Sequence, residues 1–494
     1  MTNASGPASP GTSDSAQGPA EGAADPASGG TLADLLVHPG VTLVDGTDGS
    51  RLTGADLRAR IDEAADRLAG LPDGIVFAPT GQDVPGILGY LGALSAGRAV
   101  LLLDPALDRT ALEALIARFR PAAVTGADGP TPTGYRAAVG TGFVRKDADS
   151  AGVHPDLAVL LTTSGSTGNP KLVRLSRGAV LANARSIATA LDLGPAEVAP
   201  TSLPLHYSYG LSVLNSHLVV GATLLVDANG VLSRTFWEAV DEHQATSFAG
   251  VPYHYEMLRR IGFAPAEHPA LRTLTQAGGR LRGTLVKDFA ARMDEVGGRL
   301  VVMYGQTEAT ARMAVLPPER LADKLGTAGQ AIPGGEFTIR PLDDDGPEDP
   351  EGIGEVVYTG PNVMMGYAES EDDLARGDDL GGVLATGDLG RLDDEGFLTI
   401  TGRLKRIGKV FGTRVSLDDL EDMLRVHGVA AAVPGDDRII VWLEGADKDG
   451  CRAAGRALAE RLRVHSSGFD VRTVPALPLL ASGKIDYRAL EAGV

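Results

Sequence analysis

A loop of small polar residues that ends in a lysine carries the strongest chemical signal in this sequence. Glycines in such a loop let backbone N–H groups converge on an anion, and the lysine adds a positive charge, so the loop is suited to hold phosphate. It is not the P-loop nucleotide-binding motif, because Leu172 and not a hydroxyl residue follows Lys171. For the loop taken alone, a plain polar turn between two strands is the alternative. The candidate phosphate-binding residues are Thr163, Ser164, Gly165, Ser166, Thr167, Gly168 and Lys171.

Two further segments at predicted strand ends place groups that could contact a nucleotide. Gly278 and Gly279 could bring backbone against a flat ring, and a strand-to-helix turn is the alternative. The second segment sets an aromatic ring, a hydroxyl and a carboxylate at the edge where open α/β sheets bind ligands. Its residues are Tyr304, Gly305, Gln306, Thr307 and Glu308.

Two charged residues in short turns follow later in the chain. Asp388, in a Thr-Gly-Asp triplet, is an acceptor-only carboxylate that could bind two ribose hydroxyls or could simply be a turn residue. Lys484, in a Ser-Gly-Lys turn, could reach an anion, although a lysine near a terminus is usually solvated. Neither residue decides a function by itself.

Composition restricts the possible partners. Of 494 residues, 43% are hydrophobic and 5% aromatic, as in a globular protein of two or three domains. The net charge of −19 disfavours a nucleic-acid or anionic-membrane surface, and Arg98, Asn215 and His217 interrupt the most apolar stretches, so we expect neither partner. The single cysteine, Cys451, excludes an internal disulfide framework and a cysteine-rich metal site. A reducing compartment fits, and we expect the cytoplasm.

The order of apolar and polar residues predicts an α/β fold. Residues 1–30 contain no Lys or Arg, which predicts a disordered tail and not a signal peptide. Strands and helices alternate from there to about residue 303. Predicted strands include 74–78, 99–103, 157–161, 173–175, 198–203, 247–251 and 300–303; predicted helices include 54–68, 84–96, 112–119, 282–296 and one that Ser176 caps and that ends near Gly194.

The pattern changes in the last third of the chain. From about Ala314, glycine-rich strand pairs predict an all-β subdomain with a hairpin turn at residues 393–396. Beyond a basic link at residues 402–406, helices over 418–426 and 452–462 predict a small α+β lobe. We therefore predict a large N-terminal α/β domain over residues 31–404 and a small C-terminal domain over 405–494.

Together these segments resemble the superfamily of acyl-adenylate-forming enzymes, which includes acyl-CoA and aryl-CoA ligases, nonribosomal-peptide adenylation domains and luciferases. The resemblance covers residues 31–494 and rests on six motifs in the family's order: residues 162–171, 304–308, 327–334, 386–388, 402–415 and 482–484. It implies a large N-terminal domain of stacked αβ layers with a β-barrel-like part, and a small C-terminal lid that moves at a hinge near Lys405.

The resemblance also assigns roles around ATP. The residues of the 163–171 loop would hold the β- and γ-phosphates, and Glu308 with Thr163 would hold Mg²⁺. Tyr304 and the Gly278–Gly279 backbone would enclose adenine. The ATP-binding residues would further include Gly305, Gln306, Thr307, the pair Asp388 and Arg403 at the ribose, and Lys484, which would reach the acid and the α-phosphate from the closed lid.

The acid-binding stretch departs from part of the family. His206 stands where amino-acid-activating relatives usually carry an aspartate, so we do not expect an α-amino acid substrate; a hydrogen-bonded residue at a helix start is the alternative for His206. Lys484, Glu308, Lys171 and His206 are the candidate catalytic residues. The expected pocket is short and partly polar, which suits an aryl or small polar acid. Its residues are His206, Tyr207, Tyr209, Gly250, Tyr253, Gly278 and Gln306.

Three functions follow from these features. The leading one is an AMP-forming ligase that activates a small organic acid with ATP and Mg²⁺ and passes it to the thiol of coenzyme A or of a separate carrier protein's phosphopantetheine. The second keeps the first step but activates nitrite and diazotises an amine, and the shortened lid between Val426 and Arg438 favours it. The third, a non-catalytic nucleotide-binding protein, is disfavoured because Glu308 and Lys484 are both present.

Overall fold

A computed structural model describes residues 30–138, 142–162, 171–342, 352–411, 413–435, 438–462, 464–478 and 485–493. The predicted N-terminal tail lies almost wholly outside these ranges. Residues Thr31–Val494 form one compact unit.

Several helices begin at a polar residue whose side chain caps them. Asp83 Oδ1 accepts the backbone N–H of Gly86 at 2.6 Å, and Ser176 Oγ accepts that of Ala179 at 3.0 Å, which confirms Ser176 as an N-cap. The described helices are α1 (Leu32–Leu36), α2 (Gly54–Asp66), α3 (Val84–Ser95), α4 (Arg109–Phe119), α5 (Arg177–Ala190), α6 (Ser208–Leu218), α7 (Arg234–Glu242), α8 (Pro252–Arg260), α9 (Gly283–Asp294), α10 (Leu417–Leu424), α11 (Lys448–Leu462) and α12 (Tyr487–Glu491).

Strands fall into two series. The first, which alternates with helices, comprises β1 (Thr42–Asp45), β2 (Arg51–Thr53), β3 (Val76–Pro79), β4 (Val100–Leu103), β5 (Ala123–Thr125), β6 (Tyr135–Ala137), β7 (Gly142–Arg145), β8 (Leu157–Thr162), β9 (Leu172–Ser176), β10 (Val198–Pro200), β11 (Thr223–Val226), β12 (Ser247–Gly250), β13 (Thr273–Gln276) and β14 (Arg299–Tyr304). The second comprises β15 (Ala314–Leu316), β16 (Gln330–Ala331), β17 (Glu336–Arg340), β18 (Gly354–Thr359), β19 (Gly366–Ala368), β20 (Val383–Leu392), β21 (Leu398–Arg403), β22 (Ile407–Val410), β23 (Thr413–Ser416), β24 (Ala430–Pro434), β25 (Ile439–Glu444) and β26 (Phe469–Val474).

Two sheets form the framework of the large domain. One has the strand order β19-β9-β8-β4-β3-β5-β7-β6, with β8, β4, β3 and β5 parallel. The other has the order β12-β13-β14-β15-β16, and its first three strands are parallel. Helices α2 and α3 pack closely on each other at Gly92, where a Cβ atom would lie 2.5 Å from Ala64 Cβ. The predicted α/β class is confirmed.

Smaller sheets complete the molecule. Strands β10-β11-β1-β2 form a four-stranded sheet, and β17-β18-β20-β21 form an antiparallel sheet in the predicted all-β region. After β21, the hairpin β22–β23 and the sheet β24-β25-β26 build a smaller C-terminal domain with α10 and α11. This domain has a hydrophobic core of its own, which includes Leu417, Leu420, Ile439 and Leu458.

Most predicted elements lie within a few residues of the observed ones, with three corrections. The helix predicted over 452–462 begins at Lys448, that predicted over 112–119 begins at Arg109, and the helix after Ser176 ends at Ala190. In the first two, an acidic first-turn or N-cap residue favours the earlier start. Across the described ranges, no helix has both the length and the apolar character that crossing a membrane requires.

Candidate active site

Asp388 stands at the centre of the predicted nucleotide motifs. It lies on β20, paired with Arg403 of β21. Its Oδ2 accepts hydrogen bonds from Tyr304 Oη at 2.5 Å and from Gln306 Nε2 at 2.7 Å, while its Oδ1 lies 3.1 Å from Arg403 Nε. A carboxylate offers about four lone-pair sites, so Asp388 can still accept a ribose hydroxyl.

The electrostatics of this cluster keep Tyr304 a hydrogen-bond donor. Burial raises the pKa of the Tyr304 phenol well above its ordinary value, and the negative charge of Asp388 raises it further. The Tyr304 phenol therefore stays protonated and donates its hydrogen bond to the Asp388 carboxylate at neutral pH.

A second carboxylate, Glu308, follows in the short turn after β14. Tyr367 Oη of β19 donates a hydrogen bond to Glu308 Oε1 at 2.7 Å. Lys171 Nζ lies 5.7 Å from the centroid of the Tyr367 ring and 2.6 Å from Glu369 Oε1. Because Ala368 pairs with Leu172 in the β19–β9 ladder, Lys171 and Glu369 meet at its end.

This arrangement suits a phosphate and its metal ion. Both partners of the Lys171–Glu369 pair are about half exposed, so the pair is weak and phosphate oxygens can replace Glu369. Mg²⁺ binds one or two carboxylates together with substrate phosphates, and Glu308 supplies such a carboxylate beside Lys171.

The predicted phosphate loop begins and ends on one strand pair. Thr162 at the end of β8 pairs with Leu172 at the start of β9. The predicted residues between them, and the predicted lid lysine, lie outside the described residues: Thr163, Ser164, Gly165, Ser166, Thr167, Gly168 and Lys484.

The segment after Tyr304 folds back tightly on itself. A Cβ atom at Gly305 would lie 1.7 Å from the Ala311 carbonyl oxygen and 2.9 Å from Arg312 Cα, so only glycine fits there. Thr307 Oγ1 lies 3.1 Å from Ser208 Oγ at the start of α6. The turn thus places the backbone of Arg312 next to Gly305, a predicted ATP-binding residue.

Gly278 and Gly279 lie against the start of α6 and α8. Gly278 has φ of +80°, and a Cβ atom there would lie 2.4 Å from Tyr207 Oη. At Gly279 the nearest atom to such a Cβ would be Pro252 Cγ, at 3.2 Å. Gly278 is therefore the position where both backbone conformation and space require glycine.

The other predicted pocket residues occupy different environments. Tyr209 is buried and its Oη lies 2.8 Å from Thr275 Oγ1; burial raises the pKa of Tyr209 to about 12. Gly250 packs against the rings of Phe248 and Tyr255, whereas Tyr253 is 58% exposed. The structure thus brings Tyr209 and Tyr207 together, with ring centroids 6.3 Å apart, and leaves Tyr253 at the surface.

His206 lies just before α6. Its Nε2 is 3.8 Å from Asp104 Oδ2, and its Nδ1 is buried without a hydrogen-bond partner among the described residues. Burial lowers the pKa of His206, and the Asp104 carboxylate opposes the shift.

A small cavity of about 30 Å³ lies behind Tyr209. It is enclosed by α5, α6 and the strands β12, β13 and β14. Its apolar walls include Ile187, Leu191, Val213, Ala249 and Met303.

Two residues of this region were missed by sequence reasoning. Tyr367 is separated from Glu308 by 59 positions, and no local pattern links the two. Arg312 did carry a signal, because it is the one charged residue in the apolar run 309–316, and a charge in a buried run invites a functional explanation.

Comparison with known proteins finds one matching family and several relatives that are named as CoA synthases or ligases. A family described as AMP-binding enzyme matches residues 36–368. Feruloyl-CoA synthase from an Amycolatopsis species is 31% identical over 342 residues, which cover 65% of this chain and 67% of that protein. Oxalate–CoA ligase from Arabidopsis thaliana is 29% identical over 425 residues, or 78% of this chain and 81% of the relative.

Solved structures share the fold. O-succinylbenzoate coenzyme A synthetase from Bacillus subtilis in complex with AMP has a TM-score of 0.74 and 22% identity, covering 93% of this chain and 97% of that one. The same enzyme in complex with ATP and a magnesium ion has a TM-score of 0.71 and 23% identity, covering 91% and 96%.

Proposed function

The chain belongs to the family of AMP-binding enzymes and is an AMP-forming, acid-activating ligase, and from this premise we propose its substrate class and acceptor. It adenylates a small acid, aryl or short and polar, and transfers the acyl group to the thiol of coenzyme A or of a carrier protein's phosphopantetheine. ATP supplies the AMP moiety, and bound Mg²⁺ neutralises charge on the phosphate oxygens.

The observation that carries the proposal is the convergence on Asp388. Tyr304, Gln306 and Arg403 come from two separate predicted motifs and bind one carboxylate from a third. Segments recognised independently as nucleotide-binding thus meet at one point, which supports a ribose site there.

In the first half-reaction, a carboxylate oxygen of the acid forms a bond to the α-phosphorus of ATP, and the bond from that phosphorus to pyrophosphate breaks. Lys171 and the loop before it stabilise the negative charge of the departing pyrophosphate. Lys484 of the closed lid neutralises charge between the acid and the α-phosphate. In the second half-reaction, a thiolate attacks the acyl carbon and AMP leaves.

Two arginines support a hinge at the predicted position. Arg403 pairs with Asp388 of the large domain. Arg406, three residues later, binds Glu421 at 2.5 Å and Asp418 at 2.9 Å in the C-terminal domain. The two arginines thus bind different domains, so we propose that the C-terminal domain rotates at Lys405 between the two half-reactions.

The size of the acid is inferred from the pocket. The cavity of about 30 Å³ behind Tyr209 can take only a small group at the far end of the acid. Three of the relatives carry names that refer to ferulate, oxalate and o-succinylbenzoate, whereas another, 32% identical, is a medium-chain fatty-acid–CoA ligase, so the proposal of a short acid rests on the pocket. Nitrite is the second candidate, because a cavity of this size, lined by the buried cation Arg312, also accommodates a small inorganic anion.

The acceptor test separates the two candidates. The enzyme is incubated with ATP, Mg²⁺, aryl or short polar acids and coenzyme A, and separately with nitrite and arylamines, and product masses are measured. We expect an acyl-CoA from at least one small acid. Pyrophosphate release with nitrite, and none with any carboxylate, would replace the thioester ligase by the diazotising enzyme.

A further inference from the structure

Arg312 is a buried cation without an anionic partner. The residue is 2% exposed, and its buried Nε has no hydrogen bond to any described residue. Within the described ranges no carboxylate lies within ion-pair distance of its guanidinium, whereas Arg174, equally buried, binds Asp379 at 2.6 Å. Burial lowers the pKa of Arg312, opposed by the phenols of Tyr209 and Tyr207. An arginine nevertheless stays charged in proteins.

Arg312 lines the cavity behind Tyr209. Its Cζ lies 4.7 Å from the centroid of the Tyr209 ring. A second polar atom there also lacks a partner: His217 Nδ1 lies 2.8 Å from the Val213 carbonyl oxygen, and its buried Nε2 has no hydrogen bond among the described residues.

The backbone of Arg312 is fixed on both sides. Asn183 of α5 donates to the Arg312 carbonyl at 2.9 Å and accepts its N–H at 3.3 Å. Asn362 donates to the same carbonyl at 3.0 Å. Both amides are buried, and Gly305 packs on the same segment. A charge held this rigidly is preorganised for a ligand.

We infer that the Arg312 cavity binds a planar oxyanion of the substrate, either a carboxylate remote from the reacting one or nitrite itself. A guanidinium binds such groups through two parallel N–H···O contacts, and an oxyanion supplies the missing counter-charge. The cavity of about 30 Å³ exceeds the roughly 10–15 Å³ that one water needs, so two oxygens fit. This inference rests on the proposed function, because it assigns the anion to the acid that is adenylated.

The kinetic test compares matched acids in the wild type and in Arg312→Leu. ATP–pyrophosphate exchange is measured with succinate against butyrate, with 4-carboxybenzoate against 4-methylbenzoate, and with nitrite. We expect the wild type to prefer each dicarboxylate to the matched monocarboxylate by about 10²-fold or more, or else to catalyse the exchange with nitrite. Arg312→Leu should abolish that preference, or the nitrite reaction, and leave the KM for ATP unchanged. A preference that survives in the variant overturns the inference while the ligase assignment stands.

The binding test needs no turnover. With AMP present, the Tm of the wild type should rise on addition of millimolar succinate, 4-carboxybenzoate or nitrite, relative to chloride, and Arg312→Leu should not respond. The matched control is Arg234→Leu on α7, whose arginine side chain is 89% exposed and which should respond as the wild type does.

Stability separates a binding role from a structural one. Removing an unpaired buried charge should leave the Tm of Arg312→Leu equal to or above that of the wild type. If Arg312→Leu lowers Tm and no anion shifts the wild-type Tm, Arg312 is structural and the inference is overturned. If anions shift Tm through Arg312 but no acid supports exchange, the proposed function fails and the anion site stands.

Discussion

The site depends first on how single carboxylates are held. Asp388 is buried, yet three donors bind its two oxygens, which offsets the cost of removing its charge from water. Glu308 has a single phenolic donor, Tyr367, and is therefore better placed to give up that partner for a metal ion.

Asp388→Asn should weaken ATP binding. The change keeps the volume but removes the charge that Arg403 and Tyr304 bind, and a hydrogen bond to a charged group contributes about 1.5–3 kcal/mol. We expect the KM for ATP to rise about 10- to 100-fold in pyrophosphate exchange, with a smaller rise in Tyr304→Phe. An unchanged KM for ATP would show that Asp388 does not bind the ribose.

Glu308→Gln should impair the use of Mg²⁺. It removes a metal-binding charge with little change in volume, so the Mg²⁺ concentration for half-maximal rate should rise and kcat should fall by about 10²-fold. Tyr367→Phe, which removes only the donor to Glu308, is the matched control and should retain most activity. Equal Mg²⁺ dependence in Glu308→Gln and the wild type contradicts the assignment.

His254 should make stability depend on pH. Burial lowers its pKa from 6.5 to about 4, so the folded state favours the neutral ring and the unfolded state binds the proton first. The free energy of unfolding should be highest above pH 6.5. As the pH falls towards 4, protonation of His254 should lower it by up to about 3 kcal/mol.

The measurement is urea unfolding of the wild type and His254→Gln at several pH values between 7 and 4. The difference in free energy of unfolding between the two proteins should change across this interval. A constant difference would mean that His254 titrates alike in the folded and unfolded states.

Among the elements, the link between β21 and β22 is the proposed hinge of the two-step reaction. Lys405 lies between an arginine bound to the large domain and an arginine bound to the small one. Lys405→Pro fixes φ and restricts the preceding residue. It should retain adenylate formation yet slow thioester formation, measured in single-turnover assays.

The control for the hinge is Lys405→Ala, which keeps the backbone free and should support both steps. Equal losses of adenylation and transfer in Lys405→Pro would argue against a rotation between the half-reactions.

Local patterns predicted the elements well wherever an apolar run or a cap defined them. The strand 157–161 and the Ser176 cap follow from residues adjacent in the chain. The short strands β1, β2 and β5 were missed, because three or four residues carry little periodicity. Strands β1 and β5 also pair with strands that are distant in the chain, β11 and β3.

The site was predictable as motifs but not as geometry. Spacing could not show that Tyr304 and Asp388, 84 residues apart, share a hydrogen bond, or that Tyr367 binds Glu308. Arg312 stands out in the sequence as the one charged residue of an apolar run, but only the structure shows that it is buried with no carboxylate within ion-pair distance among the described residues. Residue types thus predict chemistry, whereas a buried charge without an anionic partner among the described residues is seen only once the packing is known.

The molecule as a whole joins a nucleotide site to a separately packed small domain. The C-terminal core is built only from residues after 409, and the Arg280–Asp422 pair at 3.9 Å is an exposed contact with the large domain. An exposed pair of this kind contributes little to stability, so this contact opposes a reorientation of the small domain only weakly. This fits a reaction whose two steps need different arrangements of the same domains.

The central claim, AMP-forming activation of an acid, is tested most directly by the stoichiometry of the nucleotide products. The enzyme is incubated with ATP, Mg²⁺, the panel of small acids and nitrite, and the products are quantified by phosphorus NMR, with Lys484→Ala as the variant expected to lose about 10²-fold in rate. The account predicts AMP and pyrophosphate in equal amounts. ADP and phosphate as the stoichiometric products would contradict it.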